Sequence, residues 1–381
     1  MKKALLLLLA LTAIIYFWLF QNKNTPNQTA EEKVLSKTHT SISQLNITHG
    51  EEVPKSSASD NDIQIPFETN ETETSTSTNP DDNIVTCPVI EKEEQSDLER
   101  EQAHKALRQY WLSSSNPHEK VNADIFTLRP TEQQHIHGLL EYHNQFPNSE
   151  IAYDRLLDLC GAKNSDYCTE EFFEKAAEID NNNGLLLLKI ASYYLKQGNK
   201  ALAFEYIRNA SQREVFDSYH FHYVENAWRS LKNVRQQPDA LVDAIGYAAA
   251  LSWNAMAFSK FCMKQEQPRE IDACVSLGQA MQLGARTGFI QVLGGAIEKH
   301  YAELDGKDET VKSIDAKYQA AIKAISAAPV LTSYTLATFD DSLAEDMLNN
   351  AKNYGEVQSA HLLVKEAIWR SKDPNYNPCQ Q

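Results

Sequence analysis

The chain has 381 residues, 42% of them hydrophobic, and carries 52 Asp and Glu against 36 Lys and Arg, a formal net charge of −16. A chain of this length can bury a sizeable core and hold two or three domains. Binding to nucleic-acid phosphates requires clustered Lys and Arg, and the sequence has no basic stripe, so nucleic-acid binding is not expected.

An uncharged apolar run occupies residues 4–20, ALLLLLALTAIIYFWLF. As a helix it would span roughly 25 Å at about 1.5 Å per residue. A cleaved signal peptide is the alternative, but no small-x-small site follows Ile14. We therefore expect residues 1–20 to form a short cytoplasmic end and a transmembrane signal anchor, with cleavage of part of the population left open. Lys2 and Lys3 favour a cytoplasmic N-terminus, so the remainder is expected in the periplasm, beyond the inner membrane of a bacterial cell.

Residues 21–95 are rich in Ser, Thr, Asn, Pro and Glu and poor in large apolar side chains. They contain 14 Asp and Glu against 5 Lys, a net charge of −9. Such a segment cannot bury enough apolar surface to offset its ordering entropy. The sequence predicts a disordered acidic linker.

Helical spacing of apolar residues dominates from residue 96 to residue 372, and residues 373–381 form a predicted C-terminal tail. The first helix is expected to open at a capping box, Ser96-Asp-Leu-Glu, and to run through Trp111. Further helices are predicted at 131–145, 150–162, 169–180, 184–197, 200–213, 218–232, 238–264, 270–283, 288–303, 308–327, 339–352 and 355–370. The fold class is therefore predicted to be all-α.

The segment from Lys189 to Ala210 resembles the tetratricopeptide repeat, a helix-turn-helix unit with a period near 34 residues. Its packing positions and its turn are matched by Leu187, Ile190, Ala191, Tyr194, Gly198, Ala203, Ile207 and Ala210. Pro147 and Asn181 stand in similar corner sequences, one such period apart. The resemblance covers about 150–232, and more weakly 250–283 through Ala273, Leu277 and Ala280. It implies an α-solenoid of antiparallel helix pairs, with an irregular helical bundle as the alternative.

Six cysteines are present, and the repeat resemblance limits how they can pair. It places Cys160 and Cys168, and likewise Cys262 and Cys274, on opposite sides of a turn between neighbouring helices. Disulfides at these positions would persist only in an oxidising compartment, which agrees with the expected orientation of the anchor. Reduced core cysteines are the alternative. Cys87 and Cys379 would join each other or link two chains, and the sequence does not decide which.

In the tetratricopeptide family the first helices line a concave groove that binds a peptide or a protein, and the resemblance implies such a groove here. Its lining would comprise Asp154, Asp158, Leu188, Ser192, Leu195, His222, Asn226 and Arg229. The family's Lys and Asn clamp for a C-terminal carboxylate is not matched, because Asp154 and Asp158 would repel a carboxylate. A segment with basic or amine groups would suit the groove better.

The sequence carries no phosphate-binding glycine loop, no GxSxG elbow and no HExxH motif. Histidines two residues apart, at 135 and 137 and at 220 and 222, point to nearly opposite sides of a helix and would chelate a metal poorly. We therefore expect neither a cofactor nor a catalytic role. The expected function is a membrane-anchored periplasmic scaffold that binds a protein or peptide partner. The alternatives are a type II anchored enzyme acting on the cell wall or on glycans, and a homo-oligomeric spacer.

Overall fold

The computed structural model describes residues 84–88, 97–126, 133–162, 166–234, 239–251 and 255–380. All of them belong to the second of two units, Asn79–Gln381. The predicted anchor at 4–20, most of the predicted linker at 21–95 and the predicted capping residue Ser96 lie outside these ranges.

Throughout the described ranges the fold is all-helical, as predicted, and the only β-type contacts are two isolated bridges. The α-helices are α1 (Asp97–Ser113), α2 (Pro117–Lys120), α3 (Asn122–Ile125), α4 (Gln133–Gln145), α5 (Glu150–Ala162), α6 (Glu170–Ile179), α7 (Gly184–Lys196), α8 (Lys200–Ala210), α9 (His220–Leu231), α10 (Asp239–Ala249), α11 (Ala255–Cys262), α12 (Pro268–Gly284), α13 (Gly288–Leu304), α14 (Asp308–Ser326), α15 (Ala328–Ala337), α16 (Asp341–Tyr354) and α17 (Glu356–Ser371). A 3-10 turn follows at Pro378–Gln380.

Most predicted helices are confirmed close to their predicted limits, but one prediction is wrong and three helices were not predicted. The helix predicted at 238–264 is two helices, α10 and α11. The short helices α2 and α3 were not predicted, and neither was α15. Helix α15 lies in an apolar stretch with no polar face, so it lacks the periodicity that identifies a surface helix.

Local capping explains the limits of the α7–α8 hairpin. The side chain of Asn183 accepts a hydrogen bond from the N–H of Leu185, and that of Asn199 accepts one from the N–H of Leu202. Gly198 adopts a φ of 74°, a left-handed conformation that favours glycine and ends α7. Each helix therefore begins at a residue whose side chain satisfies an otherwise unpaired N–H.

Consecutive helices pack as pairs, most extensively α7 with α8, α9 with α10, α12 with α13 and α16 with α17. Helix α5 also packs on α7, α8 on α12, and α9 on α16. The corners that precede α7, α9, α13 and α17 lie side by side. Three backbone hydrogen bonds of 2.8 Å join them, between Gly184 and Val215, Phe216 and Gly284, and Glu356 and Arg286.

The six cysteines lie in three pairs at disulfide-bonding distance. The predicted pairs Cys160–Cys168 and Cys262–Cys274 have Cα–Cα distances of 5.7 Å and 5.5 Å, and Cys87–Cys379 has one of 5.3 Å. Residues 84–88 fall within the predicted linker, but the N–H of Val85 donates a 2.9 Å hydrogen bond to Ser371 Oγ. The described end of the linker thus attaches to the C-terminal helix α17 and to the predicted tail.

Among the described helices, none is by itself both long enough and apolar enough to cross a membrane. Taken together, α14 and α15 meet those two criteria, and they join at a bend of 47°.

Candidate functional site

A buried ionic cluster joins α5, α7 and α9, which are the first helices of three successive helix pairs. The Nζ of Lys189 lies 2.5 Å from Asp154 Oδ1, and the hydroxyl of Tyr223 donates a 2.7 Å hydrogen bond to Asp154 Oδ2. The separations along the chain are 35 residues from Asp154 to Lys189 and 69 from Asp154 to Tyr223. These three side chains therefore occupy equivalent places on three neighbouring helices.

The cluster contains a second carboxylate and a second cation. Asp158 Oδ1 lies 2.9 Å from Lys189 Nζ, and Asp158 Oδ2 lies 3.7 Å from a guanidinium nitrogen of Arg155. Burial opposes the charged form of Lys189, but the charges of Asp154 and Asp158 outweigh it and raise the Lys189 pKa. Two anions and two cations thus compensate each other inside the protein.

The predicted groove needs correction at these positions. Asp154 and Leu188 are fully buried, and only 12% of the Asp158 side chain is exposed. The side chains point at the neighbouring helices of the stack, because their helical phase differs from the phase that the resemblance implied. Asp154 and Asp158 do converge, but on a lysine within the core. They therefore do not line a partner groove, where they were expected to repel a C-terminal carboxylate of the partner.

The remaining predicted groove residues lie nearer the surface. Ser192, Leu195, His222 and Asn226 are half-buried, and Arg229 is exposed. Arg229 forms an ion pair with Glu225, and Ser192 donates its hydroxyl hydrogen bond to the carbonyl of Leu188. None of these contacts joins the predicted groove residues into one site.

The first helices that the structure describes, α1 to α3, lie against α9. The indole N–H of Trp111 donates a 2.5 Å hydrogen bond to Ser230 Oγ, and the ring of Phe126 meets that of Tyr223 edge-on at 6.3 Å. Trp111 and Phe126 are both buried. The segment from α1 to α3 is therefore an integral part of the core and packs against α9.

A partly exposed aromatic surface lies instead on α7 and α8, where these helices pack with α6. Tyr194 of α7 and Tyr206 of α8 stack with ring centroids 5.6 Å apart and planes inclined by 16°. Tyr193 meets Tyr194 edge-on at 5.4 Å, and the buried Phe173 of α6 lies 4.8 Å and 5.7 Å from the two rings. The three tyrosines are half-buried. We call Tyr193, Tyr194 and Tyr206 the tyrosine surface.

Three exposed carboxylates on α6 and α8 act electrostatically on the tyrosine surface, and we call them the acidic rim: Glu170, Glu174 and Glu205. Burial raises the pKa of Tyr206 to about 12, and the neighbouring Tyr194 and the carboxylates of the acidic rim act in the same direction. Burial likewise raises the pKa of Tyr194, with Glu170 and Glu174 contributing. The rim carboxylates are thus near enough to the phenols to create a negative potential there.

The rim carboxylates form no ion pair with any Lys or Arg that the structure describes, whereas adjacent Glu171 forms a 2.8 Å ion pair with Lys175. A cation could therefore approach the tyrosine surface without displacing an existing partner of the rim. Lys196 and Lys200 are exposed and flank the turn between α7 and α8.

The histidines give no sign of a metal centre. Across the described ranges, no group of three or more His, Cys, Asp or Glu side chains is arranged to hold a metal ion. Burial lowers the pKa of His220 to about 4.

Comparison with known proteins gives no match: no family model, curated protein or solved structure corresponds to this chain.

The sequence analysis missed the tyrosine surface because Tyr194 was assigned to helix packing alone. A signal was available: Tyr206 follows Tyr194 by 12 residues across the Gly198 turn, which places both on the same side of a hairpin. Two acidic residues one turn apart on α6, Glu170 and Glu174, complete the arrangement. Only the packing of α6 against α7 brings them together.

Proposed function

We propose that this protein is a membrane-anchored helical-repeat scaffold that binds a protein partner in the periplasm through the tyrosine surface. The observation that carries the proposal is the half-buried tyrosine stack on α7 and α8, beside carboxylates of α6 and α8 that form no ion pair with a Lys or Arg among the described residues. Tyrosine supplies a large, rigid contact area at low cost in conformational entropy and is enriched at protein interfaces.

The spacing of the ionic cluster supports a repeat architecture for part of the chain. Asp154 and Lys189 occupy matching places on α5 and α7, and Asn183 accepts a hydrogen bond from the N–H of Asp217, 34 residues away. Both separations are close to the tetratricopeptide period. We propose the solenoid-like arrangement only for the helix pairs from α5 to α10. Beyond them the regular stacking of neighbouring pairs ends, because α8 packs on α12 and α9 packs on α16.

The proposed location rests on two features that are independent of each other. The apolar run at 4–20 has the composition of an anchor, and the cysteine pairs are typical of an oxidising compartment. The composition of residues 21–83 predicts a flexible linker, and about 63 such residues would have a root-mean-square reach of roughly 40–48 Å, which would let the folded unit search for a partner above the bilayer.

Site-specific photocrosslinking in the native host tests this proposal. The photoreactive amino acid p-benzoylphenylalanine would replace Tyr206 in the full chain, and in a control it would replace Lys312, which is exposed on α14. We expect a protein adduct from the Tyr206 position, identified by mass spectrometry, and none from the Lys312 position.

Two outcomes would overturn the proposal. The first is the absence of any adduct when Tyr193, Tyr194 and Tyr206 are each replaced in turn. The second is an adduct that consists only of two copies of this chain, because it would indicate self-association in place of a separate partner.

A further inference from the structure

Resting on the proposed function, we infer that the tyrosine surface recognises a basic peptide segment, with Arg or Lys side chains placed between the aromatic rings and the acidic rim. The inference names the chemistry of the partner. It depends on the geometry of the tyrosine rings and on the negative charge of the acidic rim. It also depends on whether another part of this chain could occupy the surface.

The faces of the tyrosine rings are the part of this surface that attracts a cation. Tyr194 and Tyr206 are stacked almost parallel, and Tyr193 stands at 76° to Tyr194, so the surface has a step rather than a flat plane. A guanidinium or ammonium group is attracted to the negative face of an aromatic ring within about 6 Å of its centroid. The planar guanidinium of Arg can also stack on such a ring, which favours Arg over Lys.

The acidic rim supplies the opposite charge at the same place. Glu170 and Glu174 lie one helical turn apart on α6, and Glu205 precedes Tyr206 on α8. A carboxylate that accepts an N–H from a guanidinium forms a charge-assisted hydrogen bond, roughly twice as strong as a neutral one. The rim therefore offers basic groups both long-range attraction and specific acceptors, and it repels an acidic partner.

The chain itself is a poor competitor for this surface. Residues 21–95 carry 14 Asp and Glu against 5 Lys, and the whole chain has a net charge of −16. The negative rim would repel both the linker and the predominantly acidic surface of a second copy. A separate basic segment is the occupant that charge complementarity favours.

Binding of defined peptides to the full chain in detergent tests this inference. The probe is a fluorescein-labelled peptide, Gly-Arg-Gly-Arg-Gly, and its matched control replaces each Arg with citrulline, which has nearly the same shape without the charge. Fluorescence anisotropy gives the dissociation constants. We expect the arginine peptide to bind at least about tenfold more tightly than the citrulline peptide, and binding to weaken as salt is added.

Variants then locate the site. We expect the double variant Glu170→Gln with Glu174→Gln to weaken binding of the arginine peptide at least about fivefold, and Tyr206→Leu to weaken it similarly. Glu171→Gln is the matched control, because Glu171 is exposed on the same helix but already paired with Lys175. It should leave the dissociation constant unchanged. Circular dichroism of each variant confirms that the helices are retained.

Equal binding of the arginine and citrulline peptides, or binding unaffected by the rim variants, would contradict the inference. The photocrosslinking experiment separates this failure from failure of the proposed function. An adduct from the Tyr206 position without charge-dependent peptide binding would leave the scaffold proposal standing with a partner of different chemistry.

Discussion

The ammonium group of Lys189 lies 2.5 Å from a carboxylate oxygen of Asp154, although 35 residues separate them, and both side chains are at least 97% buried. Removing charges of this kind from water is costly, so the pair depends on close geometry and on its neighbours. Tyr223 and Asp158 supply the additional contacts. The stack of α5, α7 and α9 thus depends on mutual compensation of buried charge.

Lys189→Met should therefore destabilise the protein strongly, because it leaves two carboxylates in the core without their main cation. We expect a loss of about 3–5 kcal/mol in the free energy of unfolding, measured by urea denaturation. Lys175→Met removes an exposed lysine from an ion pair on α6 and should barely move the unfolding midpoint. Similar unfolding midpoints for the two variants would show that the buried carboxylates do not depend on the charge of Lys189.

Helices α12 and α13 approach each other at two glycines, and Gly294→Ala should destabilise the protein. A Cβ at Gly294 would lie 2.5 Å from the carbonyl oxygen of Gly278, so the backbones would have to separate. We expect a loss of about 1–3 kcal/mol despite the higher helix propensity of alanine. The control is Gly246→Ala on α10, where a Cβ meets no atom within 4 Å. This change should stabilise the protein by up to about 1 kcal/mol in the same assay. The prediction fails unless the two substitutions change the free energy of unfolding in opposite directions.

Asp217 should make stability fall as the pH rises. Burial raises its pKa in the folded protein to about 7 from an ordinary value of 3.8. The folded state therefore binds the proton more tightly than the unfolded state, and stability decreases between about pH 4 and about pH 7. Asp217→Asn retains an acceptor for the N–H of Tyr219 but cannot ionise.

The difference in unfolding free energy between this variant and the wild type should shift in favour of the variant across that range. Taking the difference cancels the opposite contribution of His220, whose depressed pKa of about 4 costs stability as the pH falls below about 6.5. A difference that stays constant between pH 4 and pH 8 would contradict this prediction, and urea titrations at successive pH values measure it.

The two cysteines of the disulfide Cys87–Cys379 are 292 positions apart in the sequence, whereas those of Cys160–Cys168 are 8 positions apart. In the chain-entropy account a longer closed loop constrains the unfolded state more strongly. Replacing the first pair with serines should cost about 3–5 kcal/mol, and replacing the second about 2–3 kcal/mol. Urea denaturation ranks the two variants, and non-reducing peptide mapping of the wild type checks the pairs. Recovery of free thiols from the native compartment would contradict the assigned pairing.

Much of the secondary structure could be predicted because the features that start, sustain and end a helix lie close together in the sequence. The caps at Asn183 and Asn199, the turn at Gly198 and the recurrence of apolar residues all act within a few residues of one another. The two short-range cysteine pairs could be predicted because the repeat resemblance placed each pair across one turn between neighbouring helices. Helix α15 escaped prediction because an apolar helix has no polar face to reveal its period.

The candidate site was harder to predict, as Leu188 and Tyr194 illustrate. Leu188 was expected in a groove and is buried, while Tyr194 was expected in the packing and is half-exposed. A rotation of a helix by less than one residue step decides between these outcomes. Such rotations depend on which neighbours pack against the helix, and the sequence of that helix alone does not contain them.

The sequence by itself predicted most of the helices, the turn at Gly198, the acidic composition of residues 21–95 and the apolar run at 4–20, because these follow from residue types and short-range spacing. Only the tertiary structure decided that Asp154 meets Lys189 inside the core, that Trp111 and Phe126 cover α9, and that three tyrosines share one acidic surface. Those relations join residues that are 12 to more than 100 positions apart, and burial and charge compensation among them depend on all the packed helices together.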